Sequence, residues 1–278
     1  MTLCFIFSAM NLQAQIIEGP QGTAKYKAPP SETVDTARLI AIYGHWMHDA
    51  VLDNDRYEDD ILAIGNHSSL YSSYGWYRVD SILNALYPEG CLNMIFFATA
   101  ASVSNFKHSK YTFKNYKESV TTDKIDIGFN HYKYFEPLSE MDWDITDITT
   151  NFQGLSCVKA ECHFRGRDWT AWFAPDIPVN DGPWKFHGLP GLIIYIADSD
   201  KAHVFSLLDL RNPDTGGEIH PIKILTNDSA IPTTREKALK RTYDVAMDPR
   251  LLKEEGLFGD IDTNDFGQRL FYAPLELE

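Results

Sequence analysis

The residues best suited to metal chemistry lie in one short segment, where His45, Met47, His48 and Asp49 offer two imidazoles, a thioether and a carboxylate. These are ligand types of copper and zinc sites. Side chains alternate between the two faces of an extended strand, so His45 and His48 would point in opposite directions. No further histidine stands at ligand spacing. We therefore predict ordinary strand histidines and no bound metal.

A thiol triad of Cys157, His163 and Asp168 is the second candidate. A turn would hold Asp168, and nothing in the sequence lowers the pKa of the thiol, so we do not favour this triad. The alternation of apolar and polar residues over 157–165 predicts a half-buried strand. Cys157 and Cys162 would face opposite sides of that strand and should not pair with each other, whereas a disulfide between Cys91 and Cys157 stays open.

The segment near the C-terminus begins like a calcium-binding loop, with Asp260, Asp262 and Asn264. Asp265 stands where that loop needs a glycine, and Phe271 stands where it needs a bidentate glutamate. We therefore predict a solvated acidic tail. The sequence also contains no nucleophile elbow, phosphate-binding loop, dinucleotide fingerprint or His-Glu-x-x-His helix, so we predict no catalytic residue and no cofactor.

The elements that would position these residues are mainly strands. Segments rich in aromatic and β-branched residues, bounded by Gly, Pro, Asn or Asp, predict strands at 38–47, 57–64, 67–77, 110–119, 124–136, 141–145, 157–165, 169–174, 192–197 and 203–210. Short connections at 166–168 and 198–201 predict two hairpins. Because no helix intervenes between most strands, we expect antiparallel pairing.

Two helices are predicted. One begins at Asp80 or Ser81 and ends before Pro88, and the other begins at Thr233, with Glu236 at the reciprocal position of a capping box. The predicted fold class is therefore mainly β, of the α+β type. We expect a large curved antiparallel sheet, half-barrel or sandwich-like, with one or two helices packed on it.

The sequence predicts one folded domain with an export signal. Residues 1–15 form the predicted signal, because Thr2 to Met10 is a short apolar stretch followed by small and polar residues, although a basic start is missing. Residues 16–36 are an N-terminal arm, 37–250 the antiparallel β domain including the 233–248 helix, and 251–278 a C-terminal tail. The apolar stretch from Cys91 to Val103 is too short to cross a bilayer, so the mature chain should be soluble without a transmembrane segment.

The charge balance excludes several partners. The chain has 278 residues with 25 Lys and Arg against 39 Asp and Glu, a net charge of −14. Nucleic acids are bound through clustered basic residues that displace counterions, so we exclude a nucleic-acid partner. Docking on an anionic membrane is disfavoured for the same reason.

The most informative segment is 169–196, where prolines and glycines stand among aromatic residues. This composition predicts a rigid apolar loop. Leu189-Pro190-Gly191-Leu192 fits a type II turn, in which Gly191 would have a positive φ. The apolar run that follows is typical of a fully buried strand.

The hexapeptide from Gly188 to Ile193 resembles the signature of the GLPGLI family, a set of exported Bacteroidetes proteins. The similarity spans about residues 38–210 and includes 136–138, Trp143, 157–160, 164–169, 171–178 and 182–186. Leu155 and Ser156 depart from the Gly-Tyr pair that relatives often show. The resemblance implies export and a fold, and it carries no assigned biochemical activity.

Two function classes follow. We favour a non-catalytic envelope protein, periplasmic or secreted, that binds a hydrophobic ligand, a peptide or a membrane-protein partner. The predicted contact surface comprises Trp172, Pro183, Trp184, Phe186, Gly188, Pro190 and Gly191. The alternative is an envelope hydrolase with dispersed catalytic residues, so whether the chain is an enzyme is left open, leaning to no. Because rigid apolar loops more often fill a core, the exposure of these side chains is decisive.

Overall fold

The computed structural model describes residues 25–27, 30–103, 110–127, 130–212, 220–226, 229–253 and 269–277. The predicted export signal at 1–15 and the calcium-loop candidates Asp260, Asp262, Asn264 and Asp265 lie outside these ranges. Among the helices of the described residues, none is both long enough and apolar enough to cross a membrane.

The described residues form mainly strands, which are β1 Lys25–Tyr26, β2 Ser31–Thr36, β3 Leu39–Asp49, β4 Asn54–Ile64, β5 Ser68–Ser73, β6 Cys91–Leu92, β7 Lys110–Asn115, β8 Val120–Ile127, β9 Asn130–Pro137, β10 Asp144–Phe152, β11 Leu155–Phe164, β12 Arg167–Ala174, β13 Leu192–Asp198, β14 His203–Arg211, β15 Pro221–Leu225 and β16 Ile231–Pro232. The helices are α1 Tyr74–Leu86, α2 Asn93–Val103 and α3 Arg235–Met247, followed by a 3₁₀ turn at Pro249–Lys253.

Twelve of these strands form one sheet in the order β10-β11-β12-β13-β14-β3-β4-β5-β7-β8-β9-β16. Neighbouring strands run antiparallel, except that β16 pairs with β9 in parallel. The pairs β1-β6 and β15-β2 form two small separate ribbons. The predicted fold class, a large mainly antiparallel sheet with a few helices, is therefore confirmed.

Several predicted elements differ from the structure. The strand predicted at 141–145 lies instead at Asp144–Phe152, and the helix predicted from Asp80 or Ser81 begins at Tyr74. The predicted strand 67–77 ends at Ser73, because residues 74–86 carry buried Trp76, Val79 and Leu83 at helical spacing and form α1. The predicted strand 124–136 is the hairpin of β8 and β9. Helix α2 was not predicted, because its apolar residues show no period that separates a buried face from an exposed one.

Helix α3 begins one residue later than predicted. The N-cap is Thr234, whose side chain accepts a hydrogen bond from the backbone N–H of Lys237. The backbone N–H of Thr233 donates instead to Lys133 O on β9 at 2.9 Å, so it is not available to Glu236 as a capping box starting at Thr233 requires. Glu236 lies in the first turn, and the predicted capping box starting at Thr233 is wrong.

Both predicted hairpins are confirmed, but the turn geometry of the hexapeptide is not. Arg165 and Gly166, with φ of 55° and 76°, make the tight turn between β11 and β12. Positive φ occurs at Gly188 (101°) and not at Gly191. Gly191 is instead required because a Cβ there would overlap the backbone carbonyl of Ala174. The predicted type II turn centred on Pro190 and Gly191 is therefore wrong.

The sheet has two different faces, which alternate along each strand. The inner face carries Tyr43 and His45 on β3 and is covered by the loop between β12 and β13, whose Trp184, Phe186 and Leu189 join the main core. The outer face carries Ile42, Gly44 and Trp46 on β3. Its Ile42 end is covered by β15 and α1, whereas its Trp46 end is exposed.

The described C-terminal residues 269–277 pack against the inner side. Pro274 O accepts hydrogen bonds from Arg167 Nη2 at 2.6 Å and from His203 Nε2 at 3.1 Å. The backbone N–H of Leu277 donates to Arg165 O at 3.0 Å. The division into an N-terminal arm, a β domain and a C-terminal tail stays a prediction.

Candidate functional site

A pocket of about 270 Å³ lies between the loop that covers the inner face and the turn that joins β4 to β5. We call it the loop pocket. Its walls combine aliphatic and aromatic surface with a few polar groups, which is typical of small-ligand sites. The lining residues are Arg38, Ile64, Gly65, Asn66, Tyr116, Val179, Asn180, Asp181 and His187.

The turn at the rim of the loop pocket is held by Asp35. Its carboxylate Oδ2 accepts hydrogen bonds from the backbone N–H groups of His67 at 2.8 Å and Ser68 at 3.1 Å. Burial raises the pKa of Asp35, but the backbone hydrogen bonds outweigh it and the pKa is lowered overall. Gly65 is required here because a Cβ would overlap the Asp35 carboxylate. The Asp35 carboxylate therefore holds the turn between β4 and β5 in one conformation at the rim.

The back of the loop pocket is built on a buried ion pair between Lys114 of β7 and Asp181 of the loop. Lys114 Nζ donates to Asp181 Oδ1 and to the carbonyl oxygens of Gly182 at 2.9 Å and Phe186 at 3.2 Å. Burial lowers the pKa of Lys114, and the Asp181 charge opposes this shift. One lysine thus fixes both the carboxylate and the loop backbone.

The second oxygen of Asp181 is the least satisfied polar atom of the loop pocket. Oδ1 also accepts the Gly182 N–H at 2.7 Å, whereas buried Oδ2 has no hydrogen-bond partner of normal geometry among the described residues. Tyr116 lies close by, and burial, the Asp181 charge and a hydrogen-bond contact with the Asp181 carboxylate raise its pKa. The Tyr116 and Ser69 hydroxyl oxygens are 3.3 Å apart. A buried acceptor without a donor is costly, so Oδ2 is suited to a ligand donor.

His187 supplies a neutral imidazole to the same wall. Its Nδ1 lies 2.9 Å from Lys185 O. A carbonyl can only accept, so Nδ1 carries the proton and Nε2 is the acceptor. Burial and the nearby Lys114 charge lower the pKa of His187 below its ordinary value of 6.5. The ring is therefore uncharged at neutral pH.

The residues of the predicted contact surface fall into different environments. Trp184 is 5% exposed and Phe186 is fully buried, and each packs on Trp169, with ring centroids 6.3 Å and 4.7 Å apart. Pro183 and Gly191 are also buried, Gly188 and Pro190 are exposed, and Trp172 is half-buried on the outer face of β12. Trp184 and Phe186 thus hold the loop in the core, and contact of any of these seven residues with a ligand stays a prediction.

A second buried ionic cluster ties the loop to the C-terminal residues. Lys185 Nζ lies 2.6 Å from Glu276, 3.0 Å from Glu136 and 3.3 Å from Asp123. Burial lowers the pKa of Lys185, but the three carboxylates raise it overall. Burial raises the pKa of Asp123 to about 6, against the opposing effect of Lys185. Glu276 also pairs with Arg235 of α3 at 2.8 Å.

The structure separates His45 from His48, as predicted. His45 is buried on the inner face, with Nε2 3.0 Å from His203 Nδ1 and Nδ1 3.5 Å from Asp60. His48 pairs instead with exposed Asp55 at 2.8 Å. Within the described ranges, no group of three or more His, Cys, Asp or Glu side chains could hold a metal ion.

The three described cysteines, Cys91, Cys157 and Cys162, are buried and form no disulfide. Burial raises the pKa of the Cys157 thiol, which is opposite to the shift that activates a nucleophile. His163 and Asp168 do pair at 2.7 Å, but both side chains are largely exposed. Cys157 is therefore a buried core residue whose thiol is not activated as a nucleophile.

Sequence reasoning missed Lys114 and Asp181. Lys114 stands in a strand of mixed polar and aromatic residues, where a lysine is ordinarily exposed. The only sequence feature near Asp181 is its place at the edge of the rigid loop. Neither residue predicts its partner, because 67 positions separate them.

The fold and the loop pocket define a protein with one large sheet and a small, preformed cavity. Residues 98–195, about a third of the chain, match a family model described as "Protein of unknown function (Porph_ging)". The match includes the hexapeptide from Gly188 to Ile193. The chain is therefore similar to an uncharacterised family. No curated protein matches it.

The solved structures with some similarity include two of PNGF-II, in different space groups. Each has 12% sequence identity and covers 77% of this chain and 34% of that chain, with TM-scores of 0.47 and 0.46. The chain thus spans about a third of the length of PNGF-II. A structure described as an outer membrane lipoprotein-sorting protein domain from Vibrio parahaemolyticus has 7% identity, a TM-score of 0.19, and coverage of 62% and 84%.

Proposed function

We propose that this chain is a non-catalytic binding protein of the cell envelope that holds a small, largely apolar molecule in the loop pocket. The observation that carries the proposal is the buried Asp181 carboxylate, which lines the loop pocket and whose Oδ2 accepts no hydrogen bond of normal geometry among the described residues, although the Tyr116 hydroxyl contacts this carboxylate. A ligand that donates one hydrogen bond would satisfy it. Apolar atoms of Ile64, Val179 and Tyr116 would contact the rest of the ligand.

The charges around Asp181 favour a neutral hydroxyl over an ammonium group as the donor. Lys114 already compensates the carboxylate charge, and Arg38 adds a second cation at the lining. An ammonium ligand would be repelled by both. The ligand class that we propose is therefore a small apolar alcohol or phenol.

The predicted contact residues have a supporting role in this proposal. Trp184 and Phe186 anchor the loop in the core, so that Asp181 and His187 keep their positions. Gly188 and Pro190 remain accessible to a larger partner. A rigid loop needs no reordering on binding and loses little entropy.

The envelope location rests on the sequence. The apolar segment at 1–15 is typical of an export signal, and the hexapeptide resembles that of exported GLPGLI proteins. We propose a periplasmic or secreted location on this basis.

The alternative, an envelope hydrolase, draws support from the titratable groups that meet at the loop pocket, namely Tyr116, Asp181 and His187. The lining residues include no serine, threonine or cysteine nucleophile. An acyl-enzyme mechanism needs such a group beside a base, and its absence from this lining favours binding.

The test is an NMR titration with benzyl alcohol as the probe and toluene as its matched control. We expect benzyl alcohol to shift resonances around Asp181 and to bind more tightly than toluene, which lacks the hydroxyl donor. Asn66→Trp places a large ring at the exposed rim and should block binding. His67→Trp changes the adjacent exposed residue, which does not line the loop pocket, and should bind as the parent does.

Two results would contradict the proposal. One is equal affinity for benzyl alcohol and toluene, which would show that Asp181 accepts no hydrogen bond from the ligand. The other is binding that Asn66→Trp and His67→Trp affect equally, which would place the site elsewhere.

A further inference from the structure

A separate surface on the outer face of the sheet carries exposed aromatic side chains. We call it the aromatic trough and define it by Trp46, Tyr57, Trp172 and Tyr195. Trp46 and Tyr57 are 42% and 37% exposed, and Trp172 and Tyr195 are half-buried. Exposed aromatic groups of this kind mark interaction surfaces more often than chance placement does.

The strand register places these residues in two adjacent rows. One row crosses the sheet through Lys159, Trp172, Tyr195, Ser206, Gly44 and Asp59. The next row crosses through Glu161, Thr170, Ala197, Val204, Trp46 and Tyr57. Small residues therefore form the floor between two aromatic pairs. The strands that carry Tyr195 and Trp46 are two strands apart, about 10 Å across the sheet.

Local packing fixes both aromatic walls. The Trp46 and Tyr57 rings are 4.7 Å apart between centroids, and Tyr57 OH donates to Asp59 at 2.6 Å. On the opposite wall, Phe152 lies 5.7 Å from Tyr195. The neighbouring Gln153 amide donates to Leu207 O at 3.0 Å, which holds this hairpin tip over β14.

Gly44 allows Tyr57 to lie flat on the sheet. A Cβ at Gly44 would lie 2.8 Å from the Tyr57 hydroxyl oxygen and 3.0 Å from the Trp46 ring. The side chain would project from the outer face, away from the core. Gly44→Ala therefore tests the shape of the aromatic trough without changing the inner face.

Carboxylates surround the aromatic trough. Asp55 and Asp168 are exposed and each contacts a histidine, and Asp59 is exposed beside Tyr57. Glu161 pairs with Lys159 at 2.6 Å. The net charge of the chain is −14. The electrostatic potential over the rings thus favours cations.

We propose that the aromatic trough binds an extended, positively charged peptide segment. Arginine or lysine side chains would lie over the aromatic rings and beside the carboxylates, which combines cation–π attraction with charge complementarity. Three residues of an extended polyproline II chain span about 9 Å, close to the separation of the two aromatic walls across the sheet, and bring the first and fourth side chains onto the same face. Cations three residues apart therefore match this surface. A second copy of the chain would bring the same acidic surface and be repelled.

The experiment is a fluorescence anisotropy titration with a labelled, end-capped peptide of sequence Arg-Ala-Ala-Arg-Ala-Ala-Arg. We expect binding at low salt that weakens as salt is raised. The same peptide with glutamine in place of arginine should not bind. Trp46→Ala should weaken binding about threefold to fivefold, the size of an exposed cation–π contact.

Matched variants separate this site from general effects. Phe135→Ala removes an aromatic side chain that is 62% exposed on β9, far along the sheet, and should bind as the parent does. Asn66→Trp, which blocks the loop pocket, should also leave peptide binding unchanged. Gly44→Ala should weaken binding while thermal unfolding stays the same.

Three outcomes would overturn the proposal. They are equal binding of the glutamine peptide, equal effects of Trp46→Ala and Phe135→Ala, or failure of the arginine peptide to bind while the neutral sugar cellotetraose binds. The last result would assign the aromatic trough to a glycan.

Discussion

The loop pocket and the aromatic trough occupy opposite faces of one sheet and are built in opposite ways. On the inner face, Lys114 and Asp181 are charged and buried, and each depends on the other. On the outer face, Trp46 and Tyr57 are apolar and exposed, and they depend on the sheet only for position. The comparison indicates that changes at the buried groups of the inner face should cost much folding stability, whereas changes at the aromatic trough should cost mainly binding and less stability.

The largest expected effect is at the buried ion pair. Lys114→Met leaves Asp181 buried without its cation and should lower the free energy of unfolding by about 3–5 kcal/mol, measured by urea denaturation. Lys240→Met removes the exposed partner of Asp244 on α3 and should change stability by less than about 0.5 kcal/mol. Equal effects would show that burial of the pair has no energetic consequence.

Two tryptophans, Trp184 of the loop and Trp172 of β12, allow a matched comparison. Trp184→Ala empties a site that is 5% exposed and should cost about 3–5 kcal/mol. Trp172→Ala truncates a half-buried ring on the outer face and should cost roughly 1–2 kcal/mol. Thermal or chemical unfolding measures both. If Trp184→Ala lowered the free energy of unfolding only slightly, the assignment of Trp184 to the core would be wrong.

Replacing Gly191 of the hexapeptide by alanine should cost more stability than the same change at Gly154, which lies in an open turn. Gly191→Ala forces a Cβ against the Ala174 carbonyl and should cost about 2–3 kcal/mol. Gly154 has a φ of 86° but open space around it, so Gly154→Ala should cost roughly 1 kcal/mol. If Gly154→Ala were the more damaging in denaturation, backbone conformation rather than close approach would dominate.

The pH dependence of stability should have opposite signs at two carboxylates. The pKa of Asp123 is raised to about 6, so the folded state keeps a proton that the unfolded chain has lost. The contribution of Asp123 to the free energy of unfolding therefore falls as pH rises from about 4 to about 6. Asp123→Asn should remove this pH dependence, about 1–3 kcal/mol.

The pKa of Asp35 is lowered, so its contribution to the free energy of unfolding is lost as pH falls below about 4. Asp35→Asn should reduce the loss of stability at acid pH. Denaturant titrations across pH 2–8 measure both.

Among the tryptophan substitutions, the smallest expected stability effect is at Trp46 on the outer face. Trp46→Ala should change the free energy of unfolding by less than about 1 kcal/mol, because the ring is 42% exposed. A loss as large as that of Trp184→Ala would mean that the aromatic trough is part of the core, and the comparison of the two faces would fail.

Local patterns predicted much of the fold. The alternation over 157–165 predicted β11, and buried Ala160 and Cys162 with exposed Glu161 and His163 confirm it. The α1 boundary was wrong because Tyr74, Trp76 and Tyr77 favour strands by residue type, whereas their spacing fits a helix packed on the sheet. Tertiary packing decided between the two.

The sequence by itself determined the mainly β class, the hairpins and the rigid loop, because alternation, turn residues and proline act over a few neighbouring positions. The tertiary structure alone decided that Trp184 is buried, that Lys114 meets Asp181, and that Trp46 and Trp172 share one face. Such contacts depend on strand order and register, which bring together residues separated by 67 positions or more. Patterns among neighbouring residues do not determine this strand order or register.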